Sequence, residues 1–409
     1  MQLNRDTLHK AALALLLVPV AAKADDATNR IDVTSLLYNE QSRTNVVEPV
    51  VRFTHLLPDG QSFSAQLGID VITGASPTGA LPSGTIQTRT SASGHTITTS
   101  AGAIPTAAFT DRRLALDGEW HKPLGRFVAS DLSGHLSREK DYQSLGVGAK
   151  FSWDVMNRLV TLTAGGAVNH DTVFPTGGTP LGLTTGTIVS HAANAKDVKN
   201  FFAGASRIMT RRWMMSVEGS RTMENGYLTE PYKVVSIMNR TTGVPIQQLT
   251  DMRPSTRNRT AVLVSSVYHY TNDVLYSSYR YYTDTWAVHS HTLDLKYRHQ
   301  ISDDTYLEPL LRYYTQSAES FYNVGLMQGA PLPSYATSDY RLGRLHTITL
   351  GGTYGFHFED SPGDWTVRAQ LMRQSGDSSP PNVVGIQRRY DLVPPVNIFA
   401  IAIGYSFGY

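Results

Sequence analysis

Cysteine is absent from all 409 residues, which excludes disulfides, thiolate metal sites and thiol redox chemistry and suits a chain that crosses an oxidising compartment unpaired. No apolar run reaches the roughly twenty residues that a spanning helix needs. The longest, from Ala11 to Val20, follows a polar start with Arg5 and Lys10 and precedes a small-x-small Ala22-Lys23-Ala24 site. That pattern predicts a secretory signal peptide over residues 1–24 and a mature chain from Asp25. Charge of one sign is scarce as well. The formal net charge is +2, and Arg5, Lys10 and Lys23 against Asp6 account for it, leaving the mature chain neutral. Such a balance gives no footing to a nucleic-acid partner.

What the chain has in quantity is alternation. From Phe399 to Tyr409 a large apolar residue stands at every second position, with Ala400, Ala402, Gly404, Ser406 and Gly408 between. Side chains on a strand point to opposite faces with period two, so this segment reads as a strand with one apolar and one small face. Runs of this kind predict about sixteen strands (range about 14–18), the first at 31–39 and the last at 397–409. Tight links such as Pro58-Asp59-Gly60 and Ile301 to Asp304 alternate with long ones, at about 74–112, 170–198, 223–259, 317–345 and 375–396. Short turns on one side of a membrane and long loops on the other predict an all-β, transmembrane, antiparallel up-and-down β-barrel over 25–409 in the bacterial outer membrane. A soluble β protein would share the composition but has no reason to segregate its loops.

Tryptophan gives an independent check. In this topology Trp120, Trp153, Trp213 and Trp365 all fall at the periplasmic end, each with the parity of its strand's apolar face. They are expected to form a girdle at the lipid headgroup boundary.

The opposite parity defines the lumen wall. On the early strands it carries Asp32, Glu48, Arg52, Asp70, Asp117, Glu119 and Asp131, mostly acidic; on the late strands Arg280, Asp294, Lys296, Arg298, Glu308, Arg312 and Arg368, mostly basic. Opposed signs across a narrow aqueous channel produce a transverse field that selects small polar solutes. The same charges can instead pair across neighbouring strands as a ladder that braces the wall. Tyr276, Tyr282, Tyr306 and Tyr314 share the inward face near Arg280 and Arg312, as a stacking track for a solute or as packing against an infolded loop.

Catalytic and metal readings find little footing. His289 and His291 share one strand face but align with Leu293 and Leu295, which points them outward, and no third ligand is evident. Asp131 and His135 share the lumen face of one strand, yet four residues of strand span about 13 Å, too far for a hydrogen bond. No G-x-S-x-G, H-E-x-x-H or phosphate loop occurs. No catalytic residue, metal or cofactor is therefore expected.

The leader, the Asp70-Val-Ile-Thr-Gly-Ala-Ser-Pro77 run, the Phe109-Thr-Asp-Arg-Arg113 re-entry and the aromatic end at Tyr405, Phe407 and Tyr409 resemble a family of uncharacterised Gram-negative outer-membrane β-barrels, a porin-like domain of unknown function. The aromatic end also resembles the signal read by the barrel-assembly machinery. The resemblance transfers no catalytic residue. It implies neighbours such as a periplasmic flavin-attaching transferase and a thioredoxin-like protein, hence a redox-linked envelope system, although no residue here marks a flavin or haem site.

The resulting expectation is a channel passing small polar solutes by passive diffusion, with the lipid bilayer and the assembly machinery as partners. The alternatives are a barrel plugged by the loop from Gly74 to Thr110 that serves periplasmic proteins and, further off, an outer-membrane hydrolase.

Overall fold

Sixteen strands pair in chain order, each with the next, and the first closes on the last. In the computed structural model, which describes residues 28–90, 96–377, 380 and 382–409, they are β1 (Asn29–Glu40), β2 (Thr44–Leu56), β3 (Ser62–Pro77), β4 (Thr106–Pro123), β5 (Val128–Arg138), β6 (Tyr142–Val155), β7 (Val160–Val173) and β8 (Asn194–Thr210). The second half is β9 (Trp213–Gly226), β10 (Thr256–His269), β11 (Val274–Asp284), β12 (His289–Ser302), β13 (Thr305–Gln316), β14 (Leu345–His357), β15 (Gly363–Gly376) and β16 (Val396–Gly408). Every pairing is antiparallel, and closure leaves no edge strand to satisfy. The seam is tied by Asn29 N–H to Tyr409 O at 3.0 Å and Tyr409 N–H to Asn29 O at 2.9 Å. The signal peptide expected at 1–24, and residues 91–95 of the first long loop, lie outside the described residues.

The two-residue alternation sorts the wall as expected. Val51, Leu67, Leu116, Leu136, Val147 and Leu350 are exposed on the outward face. Trp120, Trp153, Trp213 and Trp365 share that parity; Trp213 Nε1–H donates to Ser266 Oγ at 2.9 Å, and Trp365 packs on Tyr405 at 4.6 Å between ring centroids. Tyr405, Phe407 and Tyr409 continue as a stack along β16. An apolar band closed around a cylinder, rimmed by aromatics, is the surface of a barrel seated in lipid.

Several strands run past their sequence-read limits. β3 continues to Pro77 and β4 begins at Thr106, so the first long loop is 78–105 rather than 74–112; the others are 174–193, 227–255, 317–344 and 377–395. Ladder hydrogen bonds belong to the backbone and persist after the apolar pattern has faded, which is why hydropathy stops short.

All five long loops leave the same end of the barrel, and they fold together. Val234–Met238 is the centre of a three-stranded sheet, with Pro245–Thr250 on one side and Leu326–Met327 on the other. Leu81 N–H donates to Ser236 Oγ at 2.9 Å, Thr250 N–H to Thr184 O at 2.8 Å, and Ile386 N–H to Thr242 O at 2.9 Å. The Gln387 amide donates to Pro82 O at 2.8 Å and Gly243 O at 2.9 Å. Loops that start all round the circumference thus meet over the outer mouth as a cap with its own core, in which Val235, Met238 and Ala336 are fully buried. The cap is a joint construction of five loops, and the loop at 78–105 supplies only part of it.

Candidate functional site in the lumen

The inner face of the wall is polar, and the cap divides it. In its outer half the inward side chains Glu48, Asp70, Arg113, Asp171, Lys196 and Glu224 are buried. Nearer the periplasmic end Asp117, Glu119 and Lys150 each keep 43% of their side-chain surface.

On β4 and β5 that exposed stretch carries two reciprocal acid–histidine pairs. Register places Asp117 opposite His135 and His121 opposite Asp131. The His135 Nδ1 lies 2.6 Å from Asp117 Oδ1, and the His121 Nδ1 lies 2.7 Å from Asp131 Oδ1, whose second oxygen is 3.0 Å from Lys150 Nζ. Asp131 and His135 are indeed not partners. Each instead finds one across the ladder, because the turn falls at 124–127 and His121 to Pro123 remain in the strand. The turn position thus sets the register, and the hydropathy pattern alone does not mark it.

Beside these pairs is a recess of about 230 Å³ lined by Arg52, Gln66, Asp117, Ser133, His135 and Asn169, among others. Its floor is made by the inward Gly146 and Gly148 on β6: a Cβ on Gly146 would stand 2.7 Å from Asn169 Nδ2, and one on Gly148 2.8 Å from Ser133 Oγ. Arg52 Nη2 donates to Ser64 Oγ at 3.1 Å and lies 3.9 Å from Glu119. The His135 Nε2 is enclosed with no hydrogen-bond partner. It is therefore not joined to Ser133, and no Ser-His-Asp relay is assembled here.

The early wall is less acidic than its sequence list implied. Arg113 and Lys150 share the inward face and pair with Asp70, at 2.9 Å, and Asp131. Asp32 is held by Arg30 at 2.8 Å. On the late wall Arg312 is hydrogen-bonded to Asp294, and Lys296 Nζ lies 3.5 Å from Glu308. Arg298 stacks on the Tyr306 ring at 3.6 Å, Lys296 lies over Tyr276 at 5.1 Å, and Arg368 Nε donates to Thr353 Oγ1 at 3.1 Å. Tyr282 donates to Asp284 at 2.7 Å and Tyr314 to Gln316 at 2.6 Å. These tyrosines are thus engaged with the wall itself. Arg280 faces inward and exposed, with no carboxylate in ion-pair range among the described residues.

Sequence reasoning gave no hint of the charged cluster inside the cap. Arg253, fully buried, is doubly bonded to Asp251 at 2.8–3.2 Å and reaches Asp339 at 3.2 Å, while Arg341 closes on Asp339 from the other side. Burial works to raise the Asp339 carboxyl, but Arg341 and Lys233 overcome it and hold the group well below the ordinary carboxylate range. At the rim, Arg257 pairs with Asp284 and with Glu319 at 3.0 Å, and lies over the Trp286 ring at 4.2 Å. Burial pushes the Glu319 carboxyl up to about 8 against the pull of Arg257 and Arg253. Trp286, the fifth tryptophan, is buried here against Phe321 rather than facing lipid.

His289 and His291 are exposed at the outer rim, in contact with Tyr281 and Tyr279. Among the described residues, Asp111, Glu139 and Asp141 bring carboxylate oxygens within 4.8 Å of one another, and Asp141 also accepts from Tyr232 at 2.7 Å.

A family described as "Protein of unknown function (DUF3570)" matches residues 6–407. No curated protein matches the chain. Among solved structures, the ferric enterobactin receptor of Pseudomonas aeruginosa aligns at 8% identity and TM-score 0.42, over 86% of this chain and 53% of the receptor. This chain therefore spans about half the receptor's length. The toluene transporter of Pseudomonas putida aligns at 9% identity and TM-score 0.40, over 94% of this chain and 90% of the transporter. A bacterial polysaccharide outer-membrane secretin aligns at 10% identity and TM-score 0.46, over 94% of this chain and all of the other. Likeness at this level says nothing of substrate.

Proposed function

The chain belongs to the DUF3570 family, is an outer-membrane β-barrel, and, we propose, acts as a gated channel for small polar solutes. The observation that carries this reading is a polar inner wall that stays water-reachable at Asp117, Glu119 and Lys150 beneath an outer half covered by a folded cap. Barrels of 16–18 strands leave an aqueous channel when their loops do not fill it. Here the cap would be the closed state, and solutes would pass only when it lifts. On the way they meet Asp117, Glu119 and Arg52 on one wall and Arg280 and Arg298 on the other, groups suited to hydroxyl-, amide- or carboxylate-bearing solutes.

The leader at 1–24 would bring the chain to the periplasm, and the aromatic end of β16 would serve its recognition by the barrel-assembly machinery. Single-channel recording in planar bilayers tests the reading: long closed periods with discrete, salt-dependent openings are expected.

A second reading is favoured by the depth of the Asp251–Arg253–Asp339 cluster, which has the character of permanent construction. In it the barrel stays shut and its periplasmic turns serve periplasmic proteins. Silence in every recording, including those of variants with a destabilised cap, would select this reading.

A further inference from the structure

The outward face carries a second pattern that the lumen does not explain. Arg112, Arg138, Lys199 and Arg221 are exposed, and each has the parity of its strand's lipid-facing residues Leu114, Leu136, Phe201 and Val217. Inward cations of the same neighbourhood all have carboxylate partners: Arg113 with Asp70, Lys196 with Asp171, Arg259 with Glu224. The four outward ones have none among the described residues.

They are also placed next to each other. Leu114 lies opposite Arg138, which sets Arg112 diagonal to Arg138 on β4 and β5; Phe201 lies opposite Arg221, which sets Lys199 diagonal to Arg221 on β8 and β9. Diagonal neighbours on one face are about 7–8 Å apart, and like charges so placed repel unless an anion lies between them.

The two pairs share one height. Strands of a barrel are staggered, and a ladder row that begins at Ala129, near the periplasmic end of β5, reaches the outer end of β15 and β16 at Gln374 and Val396. A level line therefore drops about one residue per strand below such a row. On that line Arg112, Arg138, Lys199 and Arg221 fall at nearly one level, two residues or so above the apolar band on β4 and β5. Continued round the barrel, the same level meets Tyr281, His291 and Tyr313 and then Arg373 on β15, so the four basic residues gather on β4–β9 while a further single cation stands beyond the aromatic sector.

We propose that Arg112, Arg138, Lys199 and Arg221 form a docking face for the phosphate groups of the glycolipid in the outer leaflet. Guanidinium forks match phosphate oxygens two at a time, and a phosphate between each diagonal pair relieves its repulsion. The end at which the long loops emerge is the one that meets that leaflet. The proposal rests on the outer-membrane placement and is independent of whether the lumen conducts.

The test is native mass spectrometry of the purified full-length barrel with bisphosphorylated lipid A and with the same lipid dephosphorylated. The intact barrel is expected to retain the phosphorylated form at least tenfold better. The combined variant Arg112→Gln, Arg138→Gln, Lys199→Gln, Arg221→Gln is expected to abolish the difference, whereas Arg211→Gln, Arg212→Gln at the periplasmic turn keeps it. Heat-modifiable migration in gels shows that each variant has folded, and should the fourfold variant not fold, the two lipid forms on the unmodified barrel still decide. Equal retention of both lipid forms, or undiminished discrimination in the folded fourfold variant, would overturn the proposal. So would a fourfold variant that changes only the number of barrels per particle, which would assign the face to a second copy.

Discussion

Arg253 and Asp339 come from loops 227–255 and 317–344, yet their side chains meet at 3.2 Å inside the cap, both with no solvent-exposed surface. A buried pair of this kind is costly to break because the surviving charge is left uncompensated, on the order of 3–5 kcal/mol. Asp339→Asn takes from Arg341 its close partner and leaves Arg253 to Asp251 alone. The expected outcome is faster proteolytic cutting within 227–255 and 317–344, while the barrel keeps its heat-modifiable migration. Loss of the barrel itself would mean that the cluster is part of the wall's stability rather than the cap's.

Glu319 gives the cap a pH dependence. Its folded pKa, about 8, lies above the unfolded value, so the folded cap binds the extra proton and the associated stability is complete at low pH and lost as pH rises through about 8. Asp339 has the opposite sign: its depressed pKa adds stability above the ordinary carboxylate range, lost as pH falls below it. Open probability in planar bilayers is expected to rise from the ordinary carboxylate range up to pH about 8 and to level off above it, and Glu319→Gln to flatten that rise. A rise unchanged in the Gln variant would assign it to another group.

Lumen charges differ in how far they are committed. Arg312 and Lys296 are tied to Asp294 and Glu308, whereas Arg280 and Arg298 have no carboxylate in ion-pair range among the described residues. Arg280→Gln with Arg298→Gln should shift the cation-to-anion permeability ratio toward cations by roughly twofold or more. The neutral exchange Arg312→Gln with Asp294→Asn should leave it nearly unchanged. Reversal potentials in a salt gradient check both, and equal effects would mean that the pairing does not govern selectivity.

The recess on β2–β7 depends on the absence of a side chain at Gly146. Adding one methyl group in Gly146→Ala puts a carbon within 2.7 Å of Asn169 Nδ2 and displaces that amide. Single-channel conductance of an open-cap variant is then expected to fall, with no change in barrel melting beyond the roughly 1–3 kcal/mol of an overpacked site. Unchanged conductance would show that solutes bypass the recess.

Strand count and barrel closure were legible in the sequence, since lipid imposes its alternation one residue at a time, as in the series Phe399, Ile401, Ile403, Tyr405 and Phe407 of β16. The pairing of the inward residues was not, because a cross-strand partner depends on where a turn closes: the β4–β5 turn at 124–127 sets His121 against Asp131 and His135 against Asp117. The cap was illegible for a different reason. Its contacts join Leu81 to Ser236, Thr184 to Thr250 and Gln387 to Gly243, residues far apart in the chain with no periodic pattern to announce them.

The most direct measurement is single-channel recording of the unmodified barrel beside a folded Asp339→Asn variant in the same lipid and salt. A cap that gates a wet lumen predicts a mostly closed wild type and sustained, larger conductance once the Arg253–Asp339 tie is lost. Equal, steady conductance in both would show that the cap does not close the mouth, and silence in both would show that the barrel is no channel.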